Sequence, residues 1–346
     1  MTHSAPKKTL DLYPIDYPFE TLFFRITAAD PKLILNPDFQ RKYKWDKQGW
    51  ARASKFIESC LMRIPLPSCY FAEDEQGRHL VIDGVQRLTT IVRFMRDEFA
   101  LEGLSVFREL EGKKFSELGE HVQELESSTI RCIVLRKENS KSIIREIFSR
   151  LNQGAVSLSD QEVRHALFPG SFDGLLTELA QLKEIESFGR GPSSEVERDS
   201  REGEERVLRY FAFKDNMASY DGKLREFLDK FMETHASLEP AKIRQLETDF
   251  KTALKHCAIV FGEDMFVDTS KERRRQSTVY YDLLMQTLGS VGTSTIETKK
   301  DKIKKAFEKL CASDDFQRSL SGGLANKASI LRRQEIWAKL LKRALA

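Results

Sequence analysis

The chain has 346 residues, 40% hydrophobic and 32% charged, with 23 phenylalanines. This balance excludes a generally disordered chain and allows roughly two domains. A net charge of +3 does not by itself mark a nucleic-acid binder, and no apolar run approaches the roughly 20 residues that span a bilayer. With no long apolar stretch in Met1–Leu10 either, a soluble cytoplasmic protein with no membrane partner is expected.

The first 28 residues read as an arm that becomes ordered around Pro18–Phe24, and Leu33–Leu35 as a short strand. A polar, aromatic loop follows from Asn36 to Trp45. Trp50, Ala53, Ile57, Cys60 and Leu61 form one helical stripe, closed by Pro65 and Pro67. Cys69–Ala72 and His79–Ile82 read as two strands around the turn Asp74–Gly77. A helix then runs to about Phe99, Ile130–Leu135 is a further strand, and Ile143, Ile144, Ile147, Phe148 and Leu151 mark another helix. Beyond this the strand signal fades. Ser159 and Glu162 have capping-box spacing and open a helix that ends near Phe168. Phe172–Leu182 is a further helix, Phe188–Glu204 a polar loop, and apolar stripes at helical spacing continue to Leu341. The expectation is an α+β fold: a mixed domain over residues 1–155 and an all-α domain over residues 156–346.

Charge and cysteine usage add two points. From Lys271 to Ala346 there are 17 Lys/Arg and 8 Asp/Glu, a net of +9, which leaves −6 for the first 270 residues. A basic C-terminal third attracts phosphate backbones, although solvated helix faces give the same count. Cys60, Cys69, Cys132, Cys257 and Cys311 are odd in number and share no CxxC spacing, so buried free thiols are expected. The histidines are scattered, and His256-Cys257 lies within an apolar stripe, the setting of a core pair rather than of metal ligands.

The stretch that carries chemistry is Val81-Ile-Asp-Gly-Val-Gln-Arg-Leu-Thr-Thr90. An apolar strand meets a helix N-terminus there, and Asp83, Gln86 and Arg87 gather where backbone N–H groups and the helix dipole favour anions. Gly84 lets the backbone approach a phosphate closely. Asp83 suits a Mg²⁺ ligand or general base, but it equally suits a helix cap or a partner for Arg87. Two other segments pair a guanidinium with an amide: Gln40 with Arg41, and Arg150 with Asn152.

Phe39-Gln-Arg, Trp45, Ile64-Pro-Leu-Pro67, the Asp83–Arg87 signature, Ile147-Phe-Ser-Arg-Leu-Asn152 and Leu158-Ser-Asp-Gln-Glu-Val-Arg164 occur in this order. The series resembles the GmrS-type domain of modification-dependent restriction and phage-defence proteins. Leu208–Phe211 and Tyr220–Leu228 resemble that domain's helical extension, so the likeness covers about residues 20–235. It implies a ParB/sulfiredoxin-like core with a nucleotide or DNA-phosphate site. In that site Asp83, Gln86 and Arg87 are catalytic, Gln40, Arg41, Gly84, Arg150 and Asn152 bind phosphate, and Asp83 holds Mg²⁺. The chain departs from the family in carrying Val85 where glutamine is usual, and in showing no HNH nuclease motif.

What the resemblance implies is a nucleotide-binding, NTP-hydrolysing DNA-defence protein. It would use Mg²⁺ and an NTP, meet DNA, and work with a partner HNH nuclease or a modification-system subunit. The basic helices near Lys299–Lys305 and Arg332–Arg343 are the expected DNA contacts. Two alternatives stand beside it: a non-catalytic nucleotide-binding regulator of a partner nuclease, which Val85 and the missing HNH motif favour, and a metal-dependent DNA nickase.

Overall fold

The computed structural model describes residues 10–35, 43, 45–46, 49–151, 159–189, 201–268, 270–271, 274–321 and 323–346. They divide into two units, Met1–Leu158 and Ser159–Ala346. The fold is α+β: a mixed sheet in the first unit, and helices throughout the second among the described residues. No helix among them is long and apolar enough to cross a membrane.

The sheet has five strands, ordered β1-β5-β3-β4-β2. β1 (Leu12–Pro18) pairs antiparallel with β5 (Thr129–Leu135), and β5 runs parallel to β3 (Cys69–Glu73). β3 forms an antiparallel hairpin with β4 (His79–Asp83), and β2 (Leu33–Ile34) lies parallel to β4. Phe71, Val81, Cys132 and Val134 turn to one face, into a core shared with α1 (Phe19–Thr27), α2 (Ala51–Leu61) and α3 (Val85–Met95). Their alternates Ala72, Ile82 and Leu135 are buried on the other face, and α5 (Lys141–Leu151) meets β4. Between them, α4 (His121–Ser127) leads into β5.

Of the expected N-terminal arm, residues 1–9 lie outside the described residues, and residues 10–28 are not an arm. Tyr13, Ile15 and Tyr17 alternate onto the core, and β1 pairs with β5 along its whole length, from Leu12↔Leu135 to Pro18↔Thr129. Pro14 and Pro18 hide the strand in the sequence, but an edge strand is where proline is tolerated.

Glu58 on α2 is a buried acid with a structural task. Its Oε1 accepts the backbone N–H groups of Ser105, Val106 and Phe107 at 2.9, 2.6 and 3.1 Å. Burial pushes its carboxyl up, and these N–H groups more than offset that, so it stays below its usual 4.5. A carboxyl lowered by folding stabilises the fold above its unfolded value and loses that contribution as pH falls through the folded one. Urea titrations followed by Trp45 and Trp50 fluorescence should show the N-terminal unit weakening below about pH 4.5. The loss should be shallower in Glu58→Gln, and an unchanged pH slope in that variant would contradict the assignment.

The second unit begins where the capping box was expected. Ser159 Oγ accepts the Glu162 N–H at 3.2 Å, and Glu162 Oε2 accepts the Ser159 N–H at 2.6 Å, opening α6 (Asp160–Leu167). α7 (Ser171–Ala180) and the short α8 (Lys183–Glu186) follow, then α9 (Glu202–Asn216), α10 (Leu224–His235) and α11 (Pro240–Phe261). α12 (Thr278–Leu288), α13 (Thr293–Cys311), α14 (Asp314–Arg318) and α15 (Lys327–Leu345) complete it. α9 packs on α7 and α12, α11 on α13, and α13 on α15, around Phe211, Phe250, Tyr281, Phe307 and Trp337. His256 is part of this core: it is buried, its Nδ1 bonds the Leu288 carbonyl, and its Nε2 meets Thr293 Oγ1.

Candidate functional site

β4 delivers Asp83 to the edge of the sheet, and the chain turns at Gly84 with φ +101° before entering α3. No side chain caps this helix. Its first-turn N–H groups therefore lack the usual side-chain acceptor, and the positive end of the helix dipole falls beside the Asp83 carboxylate. The turn is packed as well as tight. A Cβ on Gly84 would lie 2.3 Å from Cys69 Sγ and 3.0 Å from Cys69 Cβ. Cys69 is fully buried on β3, in register with Cys132 on β5. The five cysteines are all buried and free.

Arg87 reaches back from the first turn of α3. Its Nη2 donates to Asp83 Oδ2 at 2.8 Å and to the Ser68 carbonyl at 3.2 Å, and its Nη1 donates to the Pro67 carbonyl. The side chain is 13% exposed. This guanidinium therefore ties the Ile64–Pro67 stretch to the signature, which gives a physical reason for the two motifs to occur together. Asp83 is more open, at 37% exposed. Its Oδ1 has no partner among the described residues, so a single carboxylate oxygen points out beside a helix N-terminus. That fits Mg²⁺, which takes one or two carboxylates and completes its shell with water and phosphate oxygens.

Gln86 is half-buried on the same turn. Val85 is partly buried and packs on the hydrophobic core. The position that departs from the family pattern thus faces inward, where a branched apolar side chain is stable. Thr90 fastens the next turn: its Oγ1 donates to the Gln86 carbonyl at 2.7 Å and lies 2.7 Å from Tyr43 Oη. Burial pushes the Tyr43 hydroxyl up to about 12, so it stays a neutral partner. Arg93 continues the seam, with its guanidinium 5.0 Å from the Tyr43 ring and 4.5 Å from the Trp50 ring, held by Asp46 and Glu98 at 2.8 Å each.

The structure thus brings together Asp83, Gly84, Gln86 and Arg87. Gln40, Arg41 and Asn152 lie outside the described residues. Arg150, at the end of α5, is 74% exposed and pairs with Glu146 at 2.8 Å rather than with the signature, a surface contact of little energetic weight. The cation α5 does bury is Arg145, 8% exposed beside Ile144 and Phe148. Its helical phase with those residues was the available signal. A second group also escaped sequence reasoning. His165, Asp173 and Glu204, from α6, α7 and α9, place potential ligand atoms within 4.8 Å of one another. Arg201 already occupies this cluster: its Nη1 bonds both Glu204 oxygens, and its Nη2 meets His165 Nε2 at 3.0 Å. His165 Nδ1 sits 2.7 Å from Asp173 Oδ2. The cluster is a charge network joining three helices, spread too far along the chain for spacing to show it.

Residues 20–169 match a family described as the GmrSD restriction endonuclease, N-terminal domain. Over that stretch the chain is similar to the GmrSD family. The match runs from α1 to just past α6, so it contains the whole signature and the capping-box helix. No curated protein and no solved structure matches the chain.

Proposed function

We propose that this GmrSD-type chain is a nucleotide-binding, NTP-hydrolysing DNA-defence protein whose reaction centre is the Asp83–Arg87 turn on a ParB/sulfiredoxin-like core. One observation carries the reading: a part-exposed carboxylate, a left-handed glycine turn and a helix N-terminus with no side-chain cap meet at the end of one strand. Phosphoryl oxygens would lie against the first-turn N–H groups of α3. Asp83 Oδ1 would hold Mg²⁺ or orient the attacking water. Mg²⁺ bound there would neutralise charge developing on the phosphates. Gln86 would orient the phosphoryl group. Arg87, with its donors committed to Asp83 and the two carbonyls, positions that carboxylate. Arg41, two residues before the anchored Tyr43, and Gln40, Arg150 and Asn152 would supply the remaining phosphate contacts. A partner polypeptide, an HNH nuclease or a modification-system subunit, would carry out or direct the cutting.

Phosphate release from each NTP, with and without Mg²⁺, tests this directly. The wild-type chain should release phosphate only with the metal, and Asp83→Asn should lose that activity. Saturable nucleotide binding without release would instead make the chain a switch for its nuclease. Mg²⁺-dependent plasmid nicking lost in Asp83→Asn would make it a nickase.

A further inference from the structure

The basic C-terminal third does not present its charge evenly. Arg333 is buried and donates to the Ser319 and Leu324 carbonyls. Arg332 is committed to Asp315 and Glu335, and Lys339 to Glu335. Most of the charge on α15 is therefore already answered. On α13 the pattern is different. Lys302, Lys305 and Lys309, three and four residues apart, share one flank, and all are exposed with no carboxylate partner among the described residues. Asp301 and Glu308 border this flank, four residues before and three after Lys305, but neither forms an ion pair with it among the described residues, and Glu297 lies farther off. Lys299 Nζ bonds the Leu345 carbonyl, so the last turn of α15 lies against the start of α13. That turn adds Lys342 and Arg343, exposed and without an ion-pair partner among the described residues.

We infer that the Lys302–Lys305–Lys309 flank of α13, extended by Lys342 and Arg343, is the surface on which this chain holds the backbone of duplex DNA. This rests on the DNA-acting reading above and adds where the DNA lies. Five exposed cations without an ion-pair partner among the described residues form a basic strip that a polyanion would cover. Lys302 to Lys309 spans about 10 Å of helix, the length over which a duplex presents about six phosphate charges. The apolar face of α13, formed by Ile296, Ile303, Phe307 and Leu310, is buried, so the helix has nothing to insert into a lipid surface. The aromatics of the two helices, Phe307 and Trp337, are buried too, which leaves no platform for stacking single-stranded bases. What remains is sequence-independent contact with phosphates.

The full chain is titrated with a fluorescent duplex of about 24 base pairs, between about 50 and 200 mM NaCl, because phosphate contacts declare themselves in the salt slope. Replacing the three α13 lysines by glutamine keeps good helix formers in place, and circular dichroism confirms the fold. The slope of log K against log salt should become shallower by about 2–3, and affinity near 100 mM NaCl should fall about 100-fold. Glu297→Gln, off this flank and at least five residues from each of the three lysines, should leave the slope unchanged. If the triple variant keeps both affinity and slope while wild type binds, this surface is wrong and the DNA reading stands. A wild type that binds no duplex but hydrolyses NTP removes the DNA reading and leaves the nucleotide site intact. Tighter binding to anionic phospholipid vesicles than to duplex would overturn the proposal in favour of a membrane.

Discussion

Gly84→Ala is expected to destabilise the N-terminal unit by about 3 kcal/mol, read as a lower urea midpoint of Trp45 and Trp50 fluorescence. Two costs add. At φ +101° the backbone is in a region that side chains with a Cβ rarely adopt, a penalty of about 1–2 kcal/mol. The new methyl would also lie 2.3 Å from Cys69 Sγ, and overpacking a closed core costs about 1–3 kcal/mol. Cys69 cannot yield, because it is fully buried on a strand paired on both sides, with β4 and β5. The two costs separate in a double-mutant cycle. In a Cys69→Ala background the steric share should disappear and the backbone share of about 1–2 kcal/mol should remain. An equal loss in both backgrounds would show that the thiol is not what excludes a side chain.

How far the chain could be read without coordinates depended on whether the signal was local. β3, β4 and α3 were legible because apolar runs, turns and a helical stripe follow one another without interruption from Cys69 to Met95, and the signature lies on that punctuation. The α6 capping box was legible for the same reason, since Ser159 and Glu162 are neighbours in the chain. β1 was hidden by Pro14 and Pro18, and its partner β5 lies more than a hundred residues away, as in Tyr17↔Ile130. Within the site, proximity of Asp83 and Arg87 followed from their i, i+4 spacing, but the use of Arg87 did not, because the Pro67 and Ser68 carbonyls reach it only after the hairpin forms. Val85 makes a similar point: its inward direction depends on the phase of α3 against the core. In the basic third, a count of charges could not separate Arg332, paired with Asp315 and Glu335, from Lys302, which has no ion-pair partner among the described residues.

Arg87→Ala and Asp83→Asn should separate holding the site together from doing its chemistry. Removing the Arg87 guanidinium strips the Pro67 and Ser68 carbonyls and Asp83 of a shared donor. With charge-assisted bonds lost in a largely buried setting, the N-terminal unit should lose about 2–4 kcal/mol. The Pro65–Ser68 stretch should loosen, which hydrogen exchange at the Ser68 and Cys69 amides would detect. Arg87→Lys should recover only part of this, because an ammonium cannot bridge three acceptors with a planar fork. Asp83→Asn keeps an oxygen that accepts from Arg87, so stability should change by less than about 1 kcal/mol. Its charge is gone, however, and with it the means to hold Mg²⁺ or orient water, so NTP turnover should fall at least about 100-fold. The informative comparison is turnover at equal folded fraction. An Asp83→Asn protein that is folded and fully active would remove Asp83 from the reaction. An Arg87→Ala protein as stable as wild type would mean that the guanidinium does not tie the proline stretch to the turn.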